Sequence, residues 1–252
     1  GLCGHTGSGK TTFVQHLNAL IITQEGYLSV DGLDLTLKKK KLRREMLKKL
    51  RGKIGMVFQY PEQQMFADQV YDEIAFGPRN MKFSNEEIKQ RVRAAMQQTG
   101  LEFAQYYERR TTDLSSGEKR RVAIASILAL NPRYLLLDEP TAGLDIEGRK
   151  AILGYLKDIN RRDNVTIVMV THHLSHLLAI CQRLVVLDKG RVVMDTPIGK
   201  LLECYEGLSE LGIELPAHLE VAYRLQQRGF HFNGEDLSMA GVARQIAQQL
   251  RR

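Results

Sequence analysis

The stretch GHTGSGKT, residues 4–11, decides the fold of this chain. It matches the pattern G-x-x-x-x-G-K-[ST] completely, and its glycines let backbone N–H groups converge on phosphate oxygens because no Cβ stands in the way. Lys10 would reach the β- and γ-phosphates of a nucleotide as a point charge, and the Thr11 hydroxyl would hold Mg²⁺. The stretch therefore predicts a P-loop that binds a nucleotide.

A helix and a strand are predicted directly after the P-loop. Residues 12–20 predict a helix with Phe13, Leu17 and Leu20 on one apolar face, and its positive N-terminus would point at the same phosphates. Residues 26–32 predict a short strand that ends in an Asp-Gly turn.

Short apolar runs further along the chain predict a buried parallel sheet. Residues 53–59, 134–138 and 165–171 are such runs, and they suit strands that are covered on both faces. A helix predicted over residues 147–161 separates the last two, as a right-handed βαβ unit requires. Residues 184–195 predict a hairpin with an Asp-Lys-Gly turn. The fold class is therefore α/β.

The sequence pattern changes at residue 62, and residues 62–130 predict mostly helices. Ser84 and Glu87 form a capping box for a helix that runs to about residue 98, and Ser115 begins another helix that ends at Asn131-Pro132. The tail after residue 198 predicts amphipathic helices with breaks at glycines and a proline.

Two acidic residues follow the run LLL at residues 135–137. Asp138 would emerge at the carboxyl end of a buried strand, where α/β sheets bind ligands, and would hold Mg²⁺ through water. Glu139 would polarise the attacking water. A second anion site is predicted at LSSGE, residues 114–118, because a helix N-terminus there presents Ser115 and free N–H groups.

In combination these motifs resemble the ATP-binding-cassette (ABC) family over nearly the whole chain up to about residue 200. The resemblance implies a P-loop NTPase of the ABC-ATPase fold, with a RecA-like core, a helical signature subdomain at about residues 62–131 and antiparallel β elements. It also implies that N-terminal strands are missing and that residues 201–252 form a C-terminal helical extension. The family works as a head-to-tail dimer in which one subunit's signature completes the other's P-loop site.

The resemblance assigns roles by position. GHTGSGKT matches Walker A, Gln59 the Q-loop, LSSGE the signature, LLLDE Walker B, AGLD at residues 142–145 the D-loop, and His172 the switch histidine. The implied catalytic residues are Glu139, His172 and Gln59, and the implied Mg²⁺ ligands are Thr11, Gln59 and Asp138. The implied ATP-binding residues are Gly4, His5, Thr6, Gly7, Ser8, Gly9, Lys10, Thr11, Thr12, Ser115, Gly117 and Asp145.

Two departures from the family pattern matter. The signature reads LSSGE instead of LSGGQ, so Ser116 adds a Cβ where close approach is needed and Glu118 places an acid beside an anion site. Since Ser115 and Gly117 are kept, we expect weaker but not abolished activity. The second departure is the aromatic residue on which the family stacks adenine, upstream of Walker A. We expect either that this residue lies in the missing N-terminal segment or that adenine binding is impaired.

The runs QYPEQQMF at residues 59–66 and VYDEIAFGPRN at residues 70–80 resemble the ATPase subunits of energy-coupling-factor importers. The resemblance implies ATP hydrolysis that powers uptake of cobalt, nickel or a vitamin. It also implies a homodimer or a pair with a related ATPase, docked on an integral membrane coupling subunit beside a separate substrate-binding membrane subunit. We therefore expect a peripheral protein on the cytoplasmic face of the cell membrane, with no nucleic acid as a partner.

Other functions stay open at the sequence level. An ABC ATPase that acts on ribosomes or nucleic acid is compatible with the net charge of +7. A regulatory subunit with low activity is compatible with LSSGE. The basic run at residues 38–45 suits a solvated face or attraction to anionic lipid. His172 and His176 have the spacing of a helical metal pair, but no carboxylate stands between them in the HExxH manner.

Composition sets the remaining bounds. The 252 residues are 43% hydrophobic and 26% charged, the profile of a folded globular chain, and no apolar run reaches the roughly 18 residues of a membrane span. We expect no signal peptide, so a membrane role would come through a partner. The three cysteines lack CxxC spacing, which argues against a disulfide framework or zinc site and fits a reducing compartment.

Overall fold

The computed structural model of the protein describes residues 1–36 and 40–251, which divide into two compact units, Gly1–Lys10 with Met169–Arg252 and Thr11–Val168. The strands are β1 (Leu2–Cys3), β2 (Ser29–Val30), β3 (Leu33–Asp34), β4 (Ile54–Val57), β5 (Tyr134–Asp138), β6 (Thr166–Val170), β7 (Arg183–Asp188) and β8 (Arg191–Pro197). The helices are α1 (Lys10–Leu17), α2 (Lys40–Arg51), α3 (Val70–Asn80), α4 (Asn85–Gln98), α5 (Phe103–Tyr106), α6 (Ser116–Leu128), α7 (Ile146–Arg162), α8 (Leu174–Ile180), α9 (Tyr205–Glu210), α10 (Ala217–Gln226) and α11 (Met239–Leu250).

In the unit Thr11–Val168, strands β4 and β5 pair in parallel, with Ile54 opposite Tyr134 and Val57 opposite Leu137. Both strands are almost fully buried, as their continuous apolar runs predict. The carboxyl ends of these two strands therefore lie side by side, and the residues that follow them emerge at one edge of the sheet.

Helices α3, α4 and α6 of the same unit pack on one another. Their contact faces contain residues without exposed surface: Ile74, Val92, Met96 and Val122. The predicted capping box at the start of α4 is present, because the Ser84 and Glu87 side chains each bond the other residue's backbone N–H. This packing supports α6, the helix that the signature turn begins.

In the unit Gly1–Lys10 with Met169–Arg252, the short strand β1 pairs in parallel with residues on either side, Leu2 with Val170 of β6 and with Val185 of β7. Strands β7 and β8 form the predicted hairpin, and both turn residues, Lys189 and Gly190, have positive φ. The P-loop leaves β1 beside this hairpin turn.

The C-terminal part of this unit is helical, as the sequence predicts. Helices α10 and α11 pack together, and Leu208, Leu219 and Val242 are buried among the tail residues. None of the helices built from the described residues is long and apolar enough to cross a membrane.

Two predictions about local structure need correction. Helix α1 ends at Leu17 and buries Val14, whereas Phe13 and Leu20 of the predicted apolar face are 42% and 55% exposed. The helix stops because Ala19 adopts a left-handed conformation, with φ of 53°. The strand predicted over residues 26–32 is reduced to β2, which pairs with β3 across the Asp-Gly turn.

Part of the basic run at residues 38–45 lies outside the described residues; α2 begins within the run, at Lys40. Of the cysteines, Cys3 is buried, and burial raises the pKa of its thiol to about 11, which keeps it protonated. Cys181 and Cys204 are half-buried.

Candidate active site

The backbone of the P-loop is fixed by close contacts within its own unit. Gly4 has φ of 143°, and a Cβ added there would lie 2.1 Å from the carbonyl oxygen of Leu187 in β7. The Ser8 amide donates to the His5 carbonyl at 3.1 Å, and the Gly190 amide of the hairpin turn donates to the Ser8 carbonyl at 3.0 Å. A glycine is therefore required at position 4, and the loop is tied to the β7–β8 turn.

The Lys10 ammonium folds back on the loop that precedes it. Its Nζ donates to the carbonyl oxygens of Gly4 at 2.7 Å and His5 at 2.8 Å. These contacts hold a positive charge at the centre of a glycine-rich loop, at the N-terminus of α1. The arrangement concentrates positive potential where backbone N–H groups can receive a phosphate.

The predicted Mg²⁺ ligands Thr11 and Asp138 are brought together although they are 127 residues apart. The Thr11 hydroxyl donates to Asp138 Oδ2 at 2.8 Å, and Asp138 is the buried last residue of β5. A hydroxyl and a carboxylate oxygen in contact are hard oxygen donors of the kind that Mg²⁺ prefers. The residues present therefore fit the implied magnesium ion.

Glu139 and Gln59 follow the carboxyl ends of the paired strands β5 and β4. Glu139 comes directly after β5 and is buried, whereas Gln59 lies two residues after β4 and is exposed. Glu139 has a positive φ of 48°, which is uncommon for a residue with a side chain. Strain of this kind is typical of functional sites and needs support from surrounding contacts.

His172 lies in the unit that contains most of the P-loop, two residues after β6, and its side chain is exposed. Its ring centroid lies 3.9 Å from that of His173, which in turn lies 4.9 Å from that of His176. Within the described residues, no group of three or more His, Cys, Asp or Glu side chains is placed to hold a metal ion.

The signature turn, residues 114–118, begins α6 with a capping box. Ser115 is the N-cap, its Oγ accepts from the Glu118 amide at 3.2 Å, and its own amide donates to Glu118 Oε2 at 2.7 Å. Ser115 is exposed, so the helix start faces outward. The predicted helix N-terminus is present, and the departure at Glu118 takes part in building it.

The negative charge of Glu118 is directed back into its own subunit. Burial opposes its ionisation, but hydrogen bonds from Ser115 and the Tyr106 hydroxyl, together with the charge of Arg109, outweigh burial and lower the pKa of Glu118 to about 2. The Tyr106 hydroxyl lies 2.7 Å from Glu118 Oε1, and Arg109 Nη1 lies 3.2 Å from the same oxygen. The acid is ionised and compensated at neutral pH.

The remaining predicted ATP-binding residues occupy loop and helix starts. Asp145 caps the N-terminus of α7, where its Oδ1 accepts from the Gly148 amide at 2.8 Å. The His5 side chain bonds the Leu211 carbonyl just after α9. The exposed members of this predicted set on and after the P-loop are His5, Thr6, Gly7, Thr11 and Thr12. Ser8 is buried, and Gly9 and Gly117 are half-buried.

Sequence reasoning missed the side chains that support the site from a distance. Tyr106 and Arg109 belong to this group because they hold Glu118, and so does Arg120, which lies on the first turns of α6 with a buried guanidinium. No local pattern could have found them, since helix spacing relates only residues three or four apart.

Comparison with known proteins gives consistent matches. The sequence profile of the ABC transporter family matches residues 1–142. The chain is 39% identical over 250 residues to the energy-coupling factor transporter ATP-binding protein EcfA2 of Clostridium perfringens, with 99% of this chain and 86% of that protein covered. It is similar to the structure of cbiO1 from Clostridium perfringens, part of the ABC transporter complex cbiONQ, with a TM-score of 0.72 and 33% identity over 88% of this chain and 85% of that one.

A second similar structure is the ATP-binding cassette MJ0796, solved as a dimer in a post-hydrolysis state bound to ADP and Pi. Its TM-score is 0.67 at 29% identity, and 78% of this chain and 83% of that chain are covered. Both structures are ABC ATPase cassettes, and they confirm the predicted α/β fold class.

Proposed function

Because the chain belongs to the ABC transporter family, in the group of energy-coupling factor transporter ATP-binding proteins, we propose that the residues described above bind and hydrolyse ATP to power a membrane transporter. The observation that carries this proposal is the 2.8 Å hydrogen bond from Thr11 to Asp138. It joins the P-loop side of the site to the acidic end of a buried strand, and an ATPase needs both at one Mg²⁺.

Each residue has a chemical task in the proposed reaction. Backbone N–H groups of residues 4–11 and the Lys10 ammonium bind the phosphates, and His172 contacts the γ-phosphate. Thr11, Gln59 and Asp138 would hold Mg²⁺, which neutralises charge that develops on the transferred phosphoryl group. Glu139 orients and polarises the attacking water as general base.

The signature turn acts on the nucleotide of another ATPase subunit in this proposal. Its N-cap Ser115 is exposed at the start of α6, a helix of 13 residues. The Glu118 side chain is bonded to Tyr106 and Arg109 of the same chain. Ser115 and Gly117 would contact the γ-phosphate across the interface, and Asp145 would lie at the same interface. The partner is a second copy or a related ATPase.

A membrane partner would dock on the segment after Gln59. Phe66 and Phe76 are 63% and 47% exposed and form an edge-to-face pair with ring centroids 4.6 Å apart. An exposed aromatic pair of this size is typical of a protein interface. We propose that an integral membrane coupling subunit docks there. A separate substrate-binding membrane subunit would select cobalt, nickel or a vitamin. This docking would place the chain at the cytoplasmic face of the membrane.

The proposal is tested by Glu139→Gln, which keeps the shape of the side chain but removes the base. We expect ATP hydrolysis to fall by about 10²–10⁴-fold while binding of a fluorescent ATP analogue stays at the parent level. The matched control is Glu86→Gln, an exposed acid on α4, which should hydrolyse ATP like the parent chain. Parent-level hydrolysis by Glu139→Gln would remove Glu139 from its role.

A further inference from the structure

Arg120 is a charged residue that the proposed reaction does not use, and its side chain is only 1% exposed. A guanidinium in the interior is stable only when its charge and N–H groups are met by partners. In this chain the partners come from two separate segments, one that begins at Glu139 and one that follows Gln59.

The first segment is the glutamate loop, residues 139–142. Arg120 Nη1 donates to the Pro140 carbonyl at 3.0 Å and lies 3.5 Å from the Glu139 carbonyl. Its Nη2 donates to the Ala142 carbonyl at 3.0 Å. One planar guanidinium therefore holds the backbone of this loop at three positions, which a lysine ammonium could not do with the same geometry.

The contacts between Arg120 and this loop affect the direction in which the Glu139 side chain points. Glu139 has φ of 48°, and such a conformation costs of order 1–3 kcal/mol and persists only where other contacts enforce it. The contacts from Arg120 enforce it from the carbonyl side. Without them, the loop could relax and turn the carboxylate away from the attacking water.

The second segment is the coupling turn, Pro61–Gln64, which follows Gln59. Glu62 Oε1 accepts from Arg120 Nη2 at 3.1 Å, and Glu62 Oε2 lies 3.0 Å from Arg120 Nε. The second contact has the distance of an ion pair without the angle of a hydrogen bond, so its attraction is electrostatic. The ring of Tyr60, which also has positive φ, lies 5.9 Å from the guanidinium.

We propose that Arg120 is a positioning residue that links the coupling turn to Glu139. The inference rests on the proposed function, in which the coupling turn belongs to the segment that meets the membrane partner. A shift of Glu62 moves the guanidinium, and the guanidinium moves the carbonyls that set the Glu139 backbone. Hydrolysis is thereby made sensitive to the state of the partner-facing segment.

The experiment compares Arg120→Gln and Arg120→Lys in the full chain, with kcat and ATP affinity measured separately. We expect kcat to fall by about 100-fold in both, because a small displacement of a catalytic group has that effect, while the Kd for a fluorescent ATP analogue changes by less than about twofold. Arg91→Gln is the matched control, since Arg91 also donates to a backbone carbonyl, that of Ala129, at 3.3 Å. It should keep the parent kcat.

A purely structural role would instead lower kcat and ATP affinity together, in step with the melting temperature, and Arg120→Lys would then recover kcat in proportion to its stability. Either result overturns the proposal. The contact between Arg120 and Glu62 is tested further with Glu62→Gln. This variant should lower kcat by about tenfold alone and should cause no further loss in the Arg120→Gln background. Additive losses would contradict coupling through Arg120.

Failure of the proposed function would be recognised separately. If Glu139→Gln hydrolyses ATP like the parent chain, the catalytic assignment fails. Arg120 is then judged by hydrogen exchange of the amides of residues 139–144, which should speed up in Arg120→Gln and not in Arg91→Gln. Unchanged exchange there would overturn the positioning role independently of any ATPase assay.

Discussion

We propose that the P-loop and the signature turn both receive phosphate, yet their charged side chains are held in opposite ways. In the P-loop, the backbone carbonyls of Gly4 and His5 hold the Lys10 cation. In the signature turn, the side chains of Tyr106 and Arg109 hold the Glu118 anion. The first region depends on the shape of its own backbone, and the second on side chains from a neighbouring segment.

The difference explains why one motif matches its family pattern and the other departs from it. A side chain at Gly4 would collide with a backbone oxygen, which cannot move aside cheaply. At Glu118, an acid in place of glutamine stays ionised, and its charge is compensated by a hydrogen bond from Tyr106 and an ion pair with Arg109, both within 3.2 Å. We infer that backbone requirements fix the P-loop sequence, whereas the signature tolerates a change that its neighbours compensate.

Among the variants that compare these two regions, the largest effect is expected from Lys10→Ala, which removes the cation that the P-loop holds. ATP hydrolysis should fall by about 10²–10³-fold, because a preorganised charge on the transferring phosphoryl group is lost. The measurement is steady-state phosphate release, with Lys89→Ala, an exposed lysine on α4, as the matched control. Similar rates for Lys10→Ala and the control would show that the cation is not used.

Replacing a glycine by alanine should change the free energy of unfolding in opposite directions in the two regions. Gly4→Ala should lower the free energy of unfolding by about 2–4 kcal/mol, since its Cβ meets Leu187 oxygen at 2.1 Å. Gly117→Ala should raise it by about 0.5–1 kcal/mol, because Gly117 lies in α6 and a Cβ there meets nothing within 4 Å. Urea unfolding checks both; equal losses would contradict the comparison.

Arg109→Ala tests whether compensation keeps the signature working. It should lower ATP hydrolysis by about tenfold in the parent chain, because the charge of Glu118 is then left beside the incoming phosphate. In the Glu118→Gln background, which has no charge to compensate, Arg109→Ala should have little effect. The same loss in both backgrounds would mean that Arg109 acts by another route.

The smallest effect is a pH dependence of stability. The folded-state pKa of Glu118 is about 2, below its ordinary value of 4.5. The stabilisation by its ionised form should be complete above pH 4.5 and should be lost as the pH falls towards 2. The difference in unfolding free energy between the parent chain and Glu118→Gln should shrink across this window. A constant difference would mean that the charge is not stabilised as described.

The parts of the fold that depend on local sequence could be predicted. The capping box at Ser84, the buried strand Tyr134–Asp138 and the helix after Asp145 all follow from signals within a few residues. The end of α1 could not be predicted, because the left-handed Ala19 has no sequence signature. The roles of the site residues were implied by resemblance and stay predictions until variants are measured.

The contacts that support the site could not be predicted for a related reason. Arg120 and Glu62 are 58 residues apart, and Glu118 meets Tyr106 and Arg109 across a turn. Which charges meet is decided by the packing of α6 against neighbouring segments, and no periodic pattern encodes that packing.

The central claim is that the exposed signature turn of one subunit completes the P-loop site of another. The most direct test is the mass of Glu139→Gln in solution, measured by light scattering with and without ATP and Mg²⁺. We expect the mass to double only when ATP and Mg²⁺ are both present. The variant is measured alone and together with any related ATPase that co-purifies with it. A strictly monomeric protein under every one of these conditions would contradict the account.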